Sequence, residues 1–245
     1  MSGIEDKVVA ITGAGGGIGA ATALMLAERG AKVVLGDHRA DGIQAVAARI
    51  ADAGGQAVFV QADVTHREDL AALVMLARER YGKLDVLVSN AGVGPIAPLD
   101  DLRVAEWELM IDVNIKGVLY GIAAALPVFR EQAFGHFVNI ASTAAYTTVP
   151  NQAVYSGTKY AVRAISEGLR KEAGGTLRVT IVSPGFVRTN FVESVQNADV
   201  RAQLIESRDK FAVPPEAIAR AIAFAIEQPA EVDVNEVVVR PTAQS

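Results

Sequence analysis

Cysteine is absent from the 245 residues. That excludes a disulfide scaffold, a thiolate metal site, an iron–sulfur cluster and a cysteine nucleophile. Histidine is scarce, and its three copies, His38, His66 and His136, show no ligand spacing. We expect surface or capping roles for each and no metal. Aromatics are only 6%, too few for a base-stacking platform. No basic run occurs, and 23 basic against 28 acidic residues give a net charge of −5, which argues against a nucleic-acid surface. The apolar-leaning stretches Val118–Phe129 and Ala217–Ile226 are short or interrupted by polar residues, so no membrane span is expected. Residues Met1–Lys7 lack the pattern of a secretory leader, and a cytoplasmic protein is the default.

What is present is globular: 51% hydrophobic and 21% charged residues. Short β-branched runs alternate with helical stretches. Strands are expected at Val8–Ile11, Lys32–Leu35, Ala57–Val60, Leu84–Val88, Phe137–Ile140, Arg178–Val182 and Glu236–Val239. Helices are expected over Ala20–Arg29, Gly42–Ala53, Glu68–Tyr81, Ala105–Arg130, Ala153–Glu172 and Pro215–Glu227, several closed by glycine. Strict β/α alternation with near-continuously apolar strands predicts α/β architecture. A single-domain, doubly wound (Rossmann) fold is expected over residues 1–245, with a seven-stranded parallel sheet covered by helices on both faces. The irregular stretch Pro184–Pro214 reads as a mobile substrate lid, about residues 186–213.

The first βα turn is Thr12-Gly13-Ala14-Gly15-Gly16-Gly17-Ile18-Gly19. Glycines let a backbone approach a pyrophosphate, and the following helix offers it free N–H groups. Asp37 ends the second strand, where a carboxylate can accept from an adenosine ribose and repel a 2′-phosphate. That favours NAD; nearby Arg39, able to pair a phosphate, keeps NADP as the alternative. Asp63-Val64 and Asn90-Ala91-Gly92 follow strands three and four, at the ligand-binding ends of such a sheet. Tyr155 and Lys159, four apart, share a helix face. An ammonium one turn from a phenol stabilises phenolate. Ser142 follows strand five and could hydrogen-bond a reacting oxygen. The Asn114 amide could hold a water that links Lys159 to solvent.

Taken together, Thr12-Gly13-x-x-x-Gly17-x-Gly19, Asn90-Ala91-Gly92, Asn114, Ser142, Tyr155-x-x-x-Lys159 and Pro184-Gly185 resemble the short-chain dehydrogenase/reductase family. The resemblance runs from Lys7 to about Thr189 and departs at Ala141 and Ala145, where members often carry Ser and Gly. It implies Tyr155 as general acid/base, Lys159 on the nicotinamide ribose, Ser142 orienting substrate and Asn114 supporting a proton relay. It also implies a pyrophosphate turn of Gly13, Gly17, Ile18 and Gly19. Asp63 and Val64 would flank adenine, and Asn90, with Ala91 and Gly92, would border the adenosine side. Pro184, Gly185, Val187 and Thr189 would line the nicotinamide.

The expected reaction is hydride transfer between NAD(H) and a secondary alcohol or ketone, without metal. An NADPH-dependent ketone or 3-oxoacyl reductase is the alternative, and a non-catalytic nucleotide-sensing protein a more remote one. The substrate wall is expected from Ala144, Val149, Phe186, Phe191 and Val192, with Gly94 and Ile96 opposite. It is mostly apolar, so an uncharged alcohol or ketone is expected; Arg188 is the single cation placed to grip a carboxylate. Small apolar residues on several faces of the two long helices invite subunit packing. The resemblance implies a homotetramer or homodimer built on them and the last strand.

Overall fold

A computed structural model describes residues 3–244. Seven parallel strands form one sheet in the order β3-β2-β1-β4-β5-β6-β7. They are β1 (Val8–Thr12), β2 (Lys32–Asp37), β3 (Gln56–Gln61), β4 (Val86–Ser89), β5 (Gly135–Ile140), β6 (Leu177–Pro184) and β7 (Glu236–Val239). Strands β1, β4, β5 and β6 are buried nearly throughout, which is why they read as unbroken apolar runs. Strand order reverses between β1 and β4. The crevice at their carboxyl ends is where sheets of this topology take ligands.

Helices α1 (Gly17–Glu28), α2 (Ala40–Asp52) and α8 (Pro215–Glu227) cover one face. Leu26, Ile43, Ile50, Ile218 and Ile222 pack there on Val9, Ile11, Val33 and Leu35. On the other face lie α3 (Arg67–Tyr81), α4 (Val104–Ile111), α5 (Gly117–Gln132) and α6 (Ala153–Ala173). Leu73, Ala125, Phe129 and Ala173 meet Val8, Val34, Leu87 and Phe137, with Phe129 edge-on to Phe137 at 4.9 Å. Alanines 141 and 145, the departures from the family pattern, bury their methyls with Val118, Val162 and Ile181.

Four expectations are corrected. The segment expected as an irregular lid has regular structure. A 3₁₀ turn spans Asn190–Ser194 and α7 spans Ala198–Phe211, opened by Asn197, whose side chain accepts from the Val200 N–H at 3.1 Å. The polar face of α7 masked its periodicity. The expected helix 105–130 contains a π turn at Asp112–Lys116 between α4 and α5. This continuous stretch, Val104–Gln132, has a mean hydropathy of 1.5 in its most apolar window and is long and apolar enough to cross a membrane by length and composition. The expectation of no such segment took this stretch only over Val118–Phe129. Here Val118, Ala125, Val128 and Phe129 face the sheet. Lastly, His136 is not a surface residue. It lies buried in β5 with Nε2 at 2.8 Å from the Thr180 hydroxyl, and burial beside Arg178 and Lys7 holds it well below the usual imidazole range.

Candidate active site

The glycine turn is built for backbone approach. Gly13 and Gly17 have φ of +65° and +51°, accessible to glycine without strain. A Cβ on Gly13 would lie 2.9 Å from the Ala91 Cα, and one on Gly17 would lie 3.1 Å from the Thr189 side chain. Helix α1 has no side-chain cap, so its first N–H groups and positive dipole end remain available to an anion. Asn90 staples the turn: its Nδ2 donates to the carbonyls of Thr12 and Gly13 at 2.9 and 3.1 Å. The Thr12 hydroxyl accepts from the N–H groups of Asn90 and Ala91, locking β1 to β4. Asn90 thus holds the turn besides lining the cleft.

Asp37 is buried at the end of β2. Its Oδ2 accepts the Gly15 N–H at 3.0 Å, and its Oδ1 accepts the Arg39 N–H at 2.9 Å. The carboxylate therefore ties the second strand to the glycine turn. Arg39 brings its guanidinium over Gly16, where its Nη2 would be 3.6 Å from a Cβ.

A continuous cleft of about 1040 Å³ runs from this end to Tyr155. It brings together Gly13, Gly17, Ile18, Asp37, Asp63, Val64, Asn90, Ala91, Gly92, Pro184, Gly185, Val187 and Thr189 with Ser142, Tyr155 and Lys159. The glycine cradle, the open helix terminus and a carboxylate at the end of β2 fit a dinucleotide. Of the expected wall, Ile96, Ala144, Val149, Phe186, Phe191 and Val192 line the cleft.

Three expected residues do not line it. Gly19 faces the turn from behind: its Cβ would collide with the Gly13 carbonyl oxygen at 2.2 Å, so it serves close helix packing. Gly94 is roofed by Phe191, whose ring tip would meet a Cβ at 2.1 Å. Asn114 is buried in the π turn. Its amide accepts the Val93 N–H and donates to the Val93 carbonyl, both at 2.9 Å, and donates to the Thr158 hydroxyl at 3.1 Å. Both N–H donors of the side-chain amide expected to hold a water are taken by protein, and its oxygen accepts one protein hydrogen bond. Sequence reasoning missed Leu109, Leu204, Gln152, Arg208, Arg240 and Gln244. All but Gln152 and Leu109 come from α7 or from the tail after β7, segments without a motif. Arg188, the cation expected, is not among the lining residues; Arg208 and Arg240 are.

At the chemical end, Tyr155 and Lys159 sit one turn apart on α6, the first half-buried and the second buried. Burial pushes the Tyr155 phenol up to about 12, and the facing Ser142 hydroxyl offsets part of the rise. Burial pulls the Lys159 ammonium down to about 8. Its Nζ donates to the Ile140 carbonyl at 3.0 Å and lies 5.9 Å from the Tyr155 ring centroid. The Ser142 Oγ is itself held by the Ala144 N–H at 3.1 Å. The opposite wall of Tyr155 is the Phe191 ring, edge-on at 5.5 Å. A half-buried phenol between a hydroxyl and an ammonium can exchange a proton with an oxygen placed beside it. Among the described residues, no three His, Asp or Glu side chains converge as metal ligands.

Comparison with known proteins places this geometry. Residues 7–199 match the short chain dehydrogenase family, and the chain belongs to it, as an oxidoreductase of the short-chain dehydrogenase/reductase type. An uncharacterized oxidoreductase of Staphylococcus saprophyticus is 47% identical over 249 residues, covering 100% of both chains. The structure of an alcohol dehydrogenase from Thermococcus sibiricus, complexed with 5-hydroxy-NADP, superposes with a TM-score of 0.88 at 30% identity, covering 98% of this chain and 99% of that one. A short chain dehydrogenase/reductase from Burkholderia phymatum in complex with NAD gives a TM-score of 0.89 at 27% identity, covering 97% and 90%.

Proposed function

We propose that this protein oxidises a secondary alcohol, or reduces the corresponding ketone, with NAD(H). The convergence of Tyr155, Ser142 and Lys159 on one end of a cleft whose other end is the glycine turn carries the reading. The cofactor-bound structures to which the chain is similar support a nicotinamide dinucleotide. When bound, its nicotinamide supplies the hydride acceptor or donor. Thr189 and Val187 on the lid side, and Gly92 on the β4 side, border that end of the cleft.

The substrate oxygen lies between the Ser142 hydroxyl and the Tyr155 phenol. Ser142, held by the Ala144 N–H, orients it. Tyr155 accepts the alcohol proton at its Oη during oxidation and returns it during reduction. Burial alone would keep that phenol protonated at neutral pH and leave too little phenolate to act as base, so the Lys159 cation, protonated below about 8, must favour the phenolate. Phe191 and Ile96 exclude water from the reacting oxygen.

Asp37 supports NAD over NADP: a 2′-phosphate beside its carboxylate would meet like charge. The Arg39 guanidinium over Gly16 favours the second reading, an NADPH-dependent reductase. Turnover of a secondary-alcohol panel with NAD⁺ against NADP⁺ separates them, and a strong NADP⁺ preference would refute the Asp37 argument. The expected activity is lost in Tyr155→Phe; undiminished NADH formation by that variant would sink the catalytic assignment.

We also propose a homotetramer. Ile111 and Leu119 on α4–α5, with Tyr160 on α6, expose apolar side chains on one side of the sheet. Phe224 on α8 and Val238 on the edge strand β7 expose it elsewhere. Two separate patches support two kinds of subunit contact.

A further inference from the structure

After β7 the chain turns, with the Gln244 N–H donating to the Pro241 carbonyl at 3.0 Å, and brings the Gln244 side chain back onto the end of β6. There the Gln244 Oε1 accepts the Phe186 N–H at 3.0 Å. The preceding Gly185 N–H donates to the Val239 carbonyl at 2.7 Å. A Cβ on Gly185 would lie 2.2 Å from the Gln244 Oε1 and 3.1 Å from the Pro241 Cδ. Glycine at 185 therefore leaves room for the tail.

Phe186 is the first residue of the lid. Its carbonyl accepts the Val213 N–H at 3.1 Å, and the Val213 carbonyl accepts the Arg188 N–H at 2.9 Å. Its ring lies edge-on to Phe211, the last residue of α7, at 5.1 Å. The two stems of the lid are thus zipped to each other, and a residue 58 positions downstream of Phe186 holds the first amide of the zip. Between the stems lie Thr189 against Gly17 and Phe191 against Gly94 and Tyr155.

We propose that Gln244 is a positioning residue for the reaction: through the Phe186 amide it sets the height of the lid over the cleft, and hence the seat of Thr189 and Phe191. The proposal deepens the dehydrogenase reading and rests on it for its catalytic consequence. Its structural content does not depend on which alcohol is the substrate.

The test compares Gln244→Ala, Gln244→Glu, Gly185→Ala and the Gln244→Ala/Gly185→Ala double variant with the intact chain by hydrogen–deuterium exchange, and measures NADH affinity by fluorescence. Loss of one clamping hydrogen bond should speed exchange across residues 186–195 about tenfold in Gln244→Ala and weaken NADH a few-fold, with α1 and α8 unchanged. Gln244→Glu keeps an acceptor oxygen at that place and should restore slow exchange. Gly185→Ala should reproduce Gln244→Ala, and the double variant should add nothing to it. Unchanged exchange at 186–195 in Gln244→Ala overturns the proposal, as does a rise spread equally over the sheet or a Gln244→Glu variant no slower than Gln244→Ala. Failure of the dehydrogenase reading is seen separately, as absence of NADH binding by the unaltered chain.

Discussion

At the residue scale, one buried cation is held at a cost to stability. Lys159 falls from 10.5 to about 8 on folding. Between those values the unfolded chain binds more protons than the folded one, so stability rises with pH through that window, and the penalty is fully present below about 8. Lys159→Met should therefore abolish turnover yet stabilise the protein at neutral pH by about 1–2 kcal/mol, the burial cost less the lost bond to Ile140. Urea midpoints for both proteins between pH 7 and pH 11 should converge as the pH rises; a constant gap would refute the argument. Asp37 carries two duties, since its carboxylate both fixes the Gly15 N–H and faces the cleft. Asp37→Ser should shift the ratio of kcat/KM for NAD⁺ and NADP⁺ toward NADP⁺ by at least about tenfold, the order of one charge contact, with some loss of stability from the freed turn.

At the element scale, the π turn at Asp112–Lys116 is where one helix face is re-aimed. Asn114 satisfies both backbone groups of Val93 and the Thr158 hydroxyl at once, welding the loop after β4 to α6 beneath the reacting groups. Asn114→Ala would strand buried partners in both elements. A loss of about 2–4 kcal/mol is expected in urea unfolding, along with lowered turnover. If stability is unchanged, the amide is not the weld. The segment around Phe191 is packed differently. Gly94 exists to admit the Phe191 ring, and Gly94→Ala should lift that ring, raising KM for an alcohol substrate while leaving the midpoint of unfolding nearly unchanged, because the clash falls on the movable end of a side chain.

For the whole molecule, two uncovered apolar patches predict two separable contacts. Ile111→Glu with Leu119→Glu on one patch, and Phe224→Glu with Val238→Glu on the other, should each reduce the assembly measured by light scattering. Combining all four should give monomers. A tetramer surviving all four charges would place the contacts elsewhere. The long α4–α5 stretch is apolar on both sides: one side packs on the sheet, and the other exposes Ile111 and Leu119.

Local chemistry determined much of this protein without reference to its fold. Strand positions, parallel pairing and most helices follow from apolar periodicity and glycine punctuation. The glycine turn, Asp37, Ser142 and the Tyr155–Lys159 pair are legible because each motif occupies consecutive or helix-spaced positions. Tertiary structure decided what depends on partners distant in sequence. It made Asn114 a buried weld rather than a free amide, because Val93 and Thr158 compete for its hydrogen bonds. It turned Gly19 and Gly94 toward neighbouring atoms instead of the cleft, and ordered a polar segment into α7 against the mouth of the site. It also brought Gln244, beyond β7, onto the Phe186 amide at the end of β6. No periodicity encodes such a meeting, since the free energy that fixes it comes from contacts that exist only once β6 and β7 lie side by side.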